Sequence, residues 1–243
     1  MNETDAQGYC REVEAHLCRR NEGHLIRIVG PAFEQVLGWQ RDGIPLKVVL
    51  AGVDRYIERR NRKGPQRRPV RIEFCDADVR DAFDDWRRAV GVSVPAAGAG
   101  EAGGGDADAG GGASRRGSLA AHIERVVARL TLLRGSEGAG GAVGEALKRA
   151  ARAADALAAG ARGARGEARE RLVASLAAID EALLAAAAAS LPPGERTALE
   201  AEAERELAPF RARLPADAYQ QARAAAVHRL LRERFGLPKV GFD

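Results

Sequence analysis

The chain reads as an all-α protein, and three observations predict it. Apolar residues fill 46% of the 243 positions while aromatic residues fill only 5%, so alanine supplies much of the apolar content. Alanine buries little area, which suits helices packed at short range better than a sheet over a deep core. Apolar residues then recur at three- and four-residue spacing in one segment after another, the period of an amphipathic helix. Finally, Gly-Pro and Pro-Pro pairs interrupt these segments at helical lengths.

Tyr9, Val13 and Leu17 fall at i, i+4, i+8 and predict a helix over roughly 5–20. Gly30-Pro31 breaks the chain, and Pro31 suits the first turn of a helix over 31–42 whose inward side carries Phe33, Val36 and Leu37. Gly43 marks its stop. Pro45 opens a helix over 45–60 with the stripe Leu46, Val49, Leu50, Val53 and Ile57. Gly64-Pro65 ends it. Val70, Ile72 and Phe74 alternate with Arg71 and Glu73, which predicts one short strand or extended segment. Asp76 is then placed to cap a helix that turns Val79, Phe83 and Trp86 inward. Its acids precede Arg87 and Arg88, the order the helix dipole favours.

Composition divides the chain into an N-terminal helical module over 1–94, a linker over 95–117 and a helical bundle over 118–243. The linker is Gly, Ala and Asp without apolar period, a composition expected to be flexible and disordered. In the last region helices are expected over about 118–134, 143–160, 165–190, 194–213 and 216–235, with Ser118 capping the first and a loop over 135–144. Leu172, Leu176, Ile179 and Leu183 form one stripe; Val227, Leu230, Leu231 and Phe235 form another.

The formal charge is only +4, so charge informs through its clustering. Arg55, Arg59, Arg60, Arg62, Lys63, Arg67, Arg68 and Arg71 crowd into one stretch opposed by Glu58 alone. Glu73, Asp76, Asp78, Asp81, Asp84 and Asp85 follow, opposed by Arg80 alone. A dense basic cluster on a helix end is the electrostatic footprint of a phosphate-binding surface, giving affinity without base readout. The same arginines have a second use open to them: pairing with the acids of the next helix. The 31–42 and 45–60 helices with a short glycine turn have helix-turn-helix proportions. Lys47, Ala51 and Asp54 would face a groove, a poor set for reading base edges.

Three cysteines, Cys10, Cys18 and Cys75, do not make a disulfide scaffold. Cys10 and Cys18, eight residues apart on one helix, diverge by about 80°, so with His16 and His24 they are read as no metal site and as buried free thiols. Cys75 has no histidine near it in sequence, and the glycines at 138, 140, 141 and 144 lack the Lys-Ser/Thr of a phosphate-binding loop. No catalytic residue and no cofactor are therefore expected, and the chain is read as no enzyme. The acidic start Met1-Asn2-Glu3-Thr4-Asp5 is not a secretory signal, and no run is read as a membrane span. A cytoplasmic protein without membrane contact is expected.

The order Phe33 to Trp39, then Val48-Val49 to Val53, then Val79 to Trp86, resembles the helical domain of DnaD-like bacterial replication-initiation proteins over residues 31–92. There the closing tryptophan lies on a tyrosine–isoleucine–tryptophan stripe at four-residue steps; here Asp78 and Ala82 hold the two earlier places. The 1–92 pattern and the ending Leu230-Leu231-Arg232-Glu233 to Leu237-Pro238 also resemble uncharacterised bacterial proteins, which imply no function. The leading expectation is a non-enzymatic, DNA-associated accessory factor in replication or its regulation. It would touch phosphates through the eight basic residues and bind a protein partner, or itself, through the C-terminal helices. The alternative is a protein–protein interaction adaptor that binds no nucleic acid.

Overall fold

A computed structural model describes residues 3–62, 69–92, 118–134 and 141–242. The expected linker over 95–117 lies outside the described residues, as do Lys63, Arg67 and Arg68. The protein is all-α. In chain order the α-helices are α1 (Glu3–Arg20), α2 (Pro31–Arg41), α3 (Leu46–Asn61), α4 (Asp76–Val90), α5 (Leu119–Arg134), α6 (Gly141–Ala161), α7 (Gly166–Ser190), α8 (Pro193–Leu207) and α9 (Ala216–Phe235). Short 3-10 helices cover Ile72–Cys75 and Ala208–Phe210. Two compact units form. The first comprises Met1–Val94 with Glu204–Ala225, and the second Pro95–Ala203 with Ala226–Asp243.

The first unit closes around apolar stripes read from the sequence. Val13 and Leu17 of α1, Val36 and Trp39 of α2, and Val49, Val53 and Ile57 of α3 are all buried. Val79 and Trp86 of α4 join them. Residue 52 explains how close α3 and α4 come. A Cβ on Gly52 would stand 2.5 Å from the Val79 Cα, so only glycine admits this approach. Gly91 ends α4 in the left-handed region (φ 70), and the Val92 amide donates back to the Arg87 carbonyl at 3.0 Å. The segment Glu204–Ala225 brings Phe210 into this core. Its ring lies 5.6 Å from that of Trp86 and 6.2 Å from that of Phe83, and the Trp86 indole N–H donates to Glu206 at 3.2 Å.

Among the described residues no strand forms, and the alternation at 70–74 has a different outcome. The Asn21 side-chain amide donates to the Val70 carbonyl at 3.1 Å and its oxygen accepts from the Val70 N–H at 2.6 Å. One side chain thus supplies both bonds a neighbouring strand would supply, for one residue only, and the chain turns at once into the 3-10 helix. Val70, Ile72 and Cys75 are buried while Phe74 stays exposed. Asp76 is not a cap. It is the first residue of α4, and its carboxylate accepts from the Trp39 indole at 2.7 Å and from Arg80 at 3.1 Å.

In the second unit α6 packs against both α5 and α7. Ile123, Leu130, Leu147, Ala150, Ala154, Leu176, Leu183 and Leu184 are buried, and alanines at the contacts let the helices approach. Ser118 does cap α5, its hydroxyl accepting from the Ala121 amide at 3.2 Å. α6 already starts at Gly141, so the expected loop over 135–144 is too long at its C-terminal end. The helix expected over 194–213 stops at Leu207. Pro209, with no N–H to give, sits in the following 3-10 helix.

The expectation that no run is apolar enough to span a membrane is also corrected. The 25 residues of α7 contain an 18-residue window of mean hydropathy 1.8, by length and composition sufficient for a span. Its alanines and its Leu183-Leu184 pair raise that mean. Asp180, inside the window, accepts from the Val240 amide at 2.9 Å and from Arg232 of α9, which ties α7 to the C-terminal segment of its own unit. The His122 ring donates to the Val240 carbonyl at 2.9 Å and meets Phe242 edge-on, fixing the same segment to α5.

Candidate functional site

The basic cluster begins on the last two turns of α3, where Arg55 and Arg59 border the side that packs on α4. That packing brings the acids of α4 to the arginines of α3. Arg55 donates to Asp85 at 3.0 Å and Arg59 to Asp78 at 2.8 Å. The two pairs differ in kind. Arg55 and Asp85 are both half-exposed, so water and salt screen them and the pair contributes about 0.2–1 kcal/mol. Asp78 is only 2% exposed, and Arg59 supplies the countercharge that makes its burial tolerable. Arg59 also lies over the Tyr56 ring at 5.5 Å from its centroid.

Arg71 pairs with Glu73 at 2.5 Å. Burial would raise the Glu73 carboxyl, but its own backbone amide and Arg71 outweigh that and hold it below the usual carboxylate range. Arg60 is likewise engaged. Arg62 is exposed at the C-terminal end of α3. Of the eight basic residues read as a phosphate site, then, α3 carries Arg55, Arg59 and Arg60, with Arg62 just beyond its end. Arg71 stands before the 3-10 helix, and three lie outside the described residues. Comparison with protein-family models, with curated proteins and with solved structures finds no match.

The helix-turn-helix proportions are present in α2 and α3, but one of the three residues assigned to a groove is committed to α1. Asp54 accepts from the His16 ring at 2.8 Å and from Arg20 at 2.7 Å, both on α1, and Lys47 is engaged as well. α1 therefore holds Asp54, while Lys47 and Ala51 of the same face stay exposed.

The cysteines and histidines have structural surroundings. Burial, reinforced by Asp78 and Glu73, pushes the Cys75 thiol up to about 12, and Cys10 is raised by burial and by Glu14. A thiol held protonated is neither nucleophile nor metal ligand. The half-buried Cys18 donates to the Ile26 carbonyl at 3.5 Å. Among the described residues no three His, Cys, Asp or Glu side chains converge as metal ligands.

Two features of this region carried little sequence signal. Asp78 reads as one acid among six, and only the tertiary approach of α3 makes it the buried one. Asn21 stands one residue past the end of α1, yet its side chain bonds Val70, 49 residues later.

Proposed function

We propose that this protein is a non-catalytic protein-interaction adaptor. The observation that carries the reading is the pairing of Arg55, Arg59 and Arg71 with Asp85, Asp78 and Glu73. Charge spent inside the molecule is not available to phosphates, and moving Arg59 onto a ligand would strand a buried carboxylate. Cys10 and Cys75, buried as free thiols, support a reducing, cytoplasmic setting.

A second reading is the DNA-associated factor in replication, to which the DnaD-like resemblance belongs. It draws on Arg62, exposed where the chain runs on into Lys63, Arg67 and Arg68. One pair of measurements separates the two. Fluorescence anisotropy with single- and double-stranded DNA is followed across a salt series, for the natural chain and for Arg62→Ala combined with Arg67→Ala and Arg68→Ala. The adaptor reading expects weak binding at low salt at most, and partners retained from lysate after nuclease treatment. Affinity that falls steeply with salt, at about −0.9 in log–log slope per phosphate contact, and that drops in the variant would overturn it in favour of DNA.

A further inference from the structure

We propose that the extended segment 24–29 of the first unit is a docking edge for an extended peptide carrying an acidic residue between two apolar ones. The inference rests on the adaptor reading and deepens it by naming the partner's chemistry. Glu22 (φ 57) and Gly23 (φ 81) reverse the chain after α1, and the Gly23 amide donates to the Cys18 carbonyl at 3.0 Å. The segment then runs back along α1. The Ile26 amide donates to the Cys18 Sγ at 3.3 Å and the Ile28 amide to the Glu14 carboxylate at 2.7 Å. Two extended residues advance roughly 6.6 Å and four helical residues about 6 Å, so the step from 26 to 28 matches the step from 18 to 14. The inner edge is held in register by a helix, with side chains acting in place of a neighbouring strand.

Alternation does the rest. If the amides of 26 and 28 face α1, those of Leu25, Arg27 and Val29 face away from it. The described residues offer those three amides no hydrogen-bond partner. Leu25 is 84% and Val29 64% exposed, with Arg27 exposed between them, and in an extended segment such alternate residues share one face. Four large apolar side chains stand exposed among the described residues, and two of them are on this edge. Ile28, on the opposite face, is buried and anchors the segment.

A cleft of about 390 Å³ adjoins it, lined by Arg11, Glu14, Arg27, Ile28, Val29 and Phe33 among others. Glu14 is committed to the Ile28 amide, while neither Arg11 nor Arg27 has an acidic partner among the described residues. Unpaired backbone donors, an apolar pair and two arginines against the single Glu14 carboxylate together describe a partner that adds as a strand and brings an acid. Paired antiparallel, such a peptide sets one apolar side chain against Val29, an acid against Arg27 and the second apolar side chain against Leu25. A nucleic acid would answer the arginines but leave both the apolar pair and the amides unmatched.

The test is fluorescence anisotropy of the full chain with a labelled peptide, Ser-Val-Thr-Asp-Thr-Ile-Ser. Comparators are the same peptide with Lys for Asp, and one with its edge amides N-methylated. Arg27→Glu and Val29→Asp are the protein variants, both at exposed positions, with folding checked by tryptophan fluorescence. The expected result is binding of the parent peptide and loss on N-methylation. At least about a tenfold loss is expected for either charge reversal alone, equivalent to 1.4 kcal/mol. Recovery is expected when Arg27→Glu meets the Lys peptide. No binding, or binding indifferent to N-methylation or to Arg27→Glu, overturns the edge. So does single-stranded DNA binding lost in Arg27→Glu without peptide binding, which assigns the arginines to phosphate. A chain that keeps nuclease-resistant partners but ignores the peptide loses this edge and retains the adaptor reading. Steep salt-dependent DNA affinity with no such partners removes the adaptor reading itself.

Discussion

Replacing Gly52 by alanine sets two effects of opposite sign against each other in the middle of α3. Alanine is the better helix former by about 1 kcal/mol, so an open site would gain stability. At Gly52 the added Cβ meets the Val79 Cα at 2.5 Å, its Cγ2 at 2.8 Å and its amide nitrogen at 2.9 Å, where ordinary contact is 3.4–4 Å. Two of those three atoms are backbone, so no rotamer change relieves the clash and α4 must move by about 1 Å. Overpacking of this kind costs typically about 1–3 kcal/mol, and with backbone as the obstacle the upper half of that range applies. Gly52→Ala is therefore expected to lower stability by a net of about 1–2 kcal/mol.

Gly38 in α2 is the matched control, since nothing lies within 4 Å of its Cβ position, and Gly38→Ala should raise stability by up to about 1 kcal/mol. Both tryptophans, Trp39 and Trp86, lie in the first unit, so thermal melts followed by their emission report that unit alone. At roughly 4 °C per kcal/mol for a unit of this size, the two variants should melt several degrees on either side of the natural protein. If Gly52→Ala melted higher, as Gly38→Ala should, the close approach of α3 to α4 would be refuted.

Further outcomes are expected elsewhere. Arg59→Ala leaves the buried Asp78 carboxylate without its countercharge and should cost about 1–3 kcal/mol by urea denaturation, while Arg62→Ala should be neutral; equal effects would refute the distinction. Phe210→Ala removes the ring stacked on Phe83 and tilted against Trp86 and should cost about 3–5 kcal/mol, with a red shift of tryptophan emission; an unshifted spectrum would refute it. Cys75 should resist iodoacetamide at pH 8 in the native protein and label fully in urea, read by peptide mass spectrometry. Its linkage has a definite sign. The thiol is raised from 9.0 to about 12 on folding. Its protonated form therefore contributes stability that is fully present below pH 9 and is lost as pH rises toward 12, by about 1.4 kcal/mol per pH unit. Cys75→Ala should flatten that alkaline slope, and an unchanged slope would assign it to other groups.

Helix positions were legible where an apolar stripe met a breaker. Val13 and Leu17, or Val49, Val53 and Ile57, state their inward side at helical period, and Pro31 and Pro45 state where the chain restarts. The alternation of Val70, Ile72 and Phe74 read as a short strand or extended segment and not as an approach to a 3-10 helix, because the deciding bonds come from Asn21, far away in sequence. The basic cluster was legible as composition. Pairing with the acids of the next helix was an open alternative, but the individual partners were not legible, since Arg59 meets Asp78 only through the α3–α4 packing that Gly52 permits. Leu25 and Val29 carry no helical period, and an extended edge held by side chains of α1 has no local signature at all.

The first unit is completed by residues far along the chain, and this has a consequence in time. The partner of the Trp86 indole is Glu206, 120 residues later. At a synthesis rate of 5–20 residues per second, roughly 6–24 s separate the two on the ribosome. Throughout that interval Trp86 and Phe83 stand without the Phe210 ring that covers them. The N-terminal helices thus emerge early but close late, and a nascent chain waiting with two bare aromatic rings is a natural client for a chaperone.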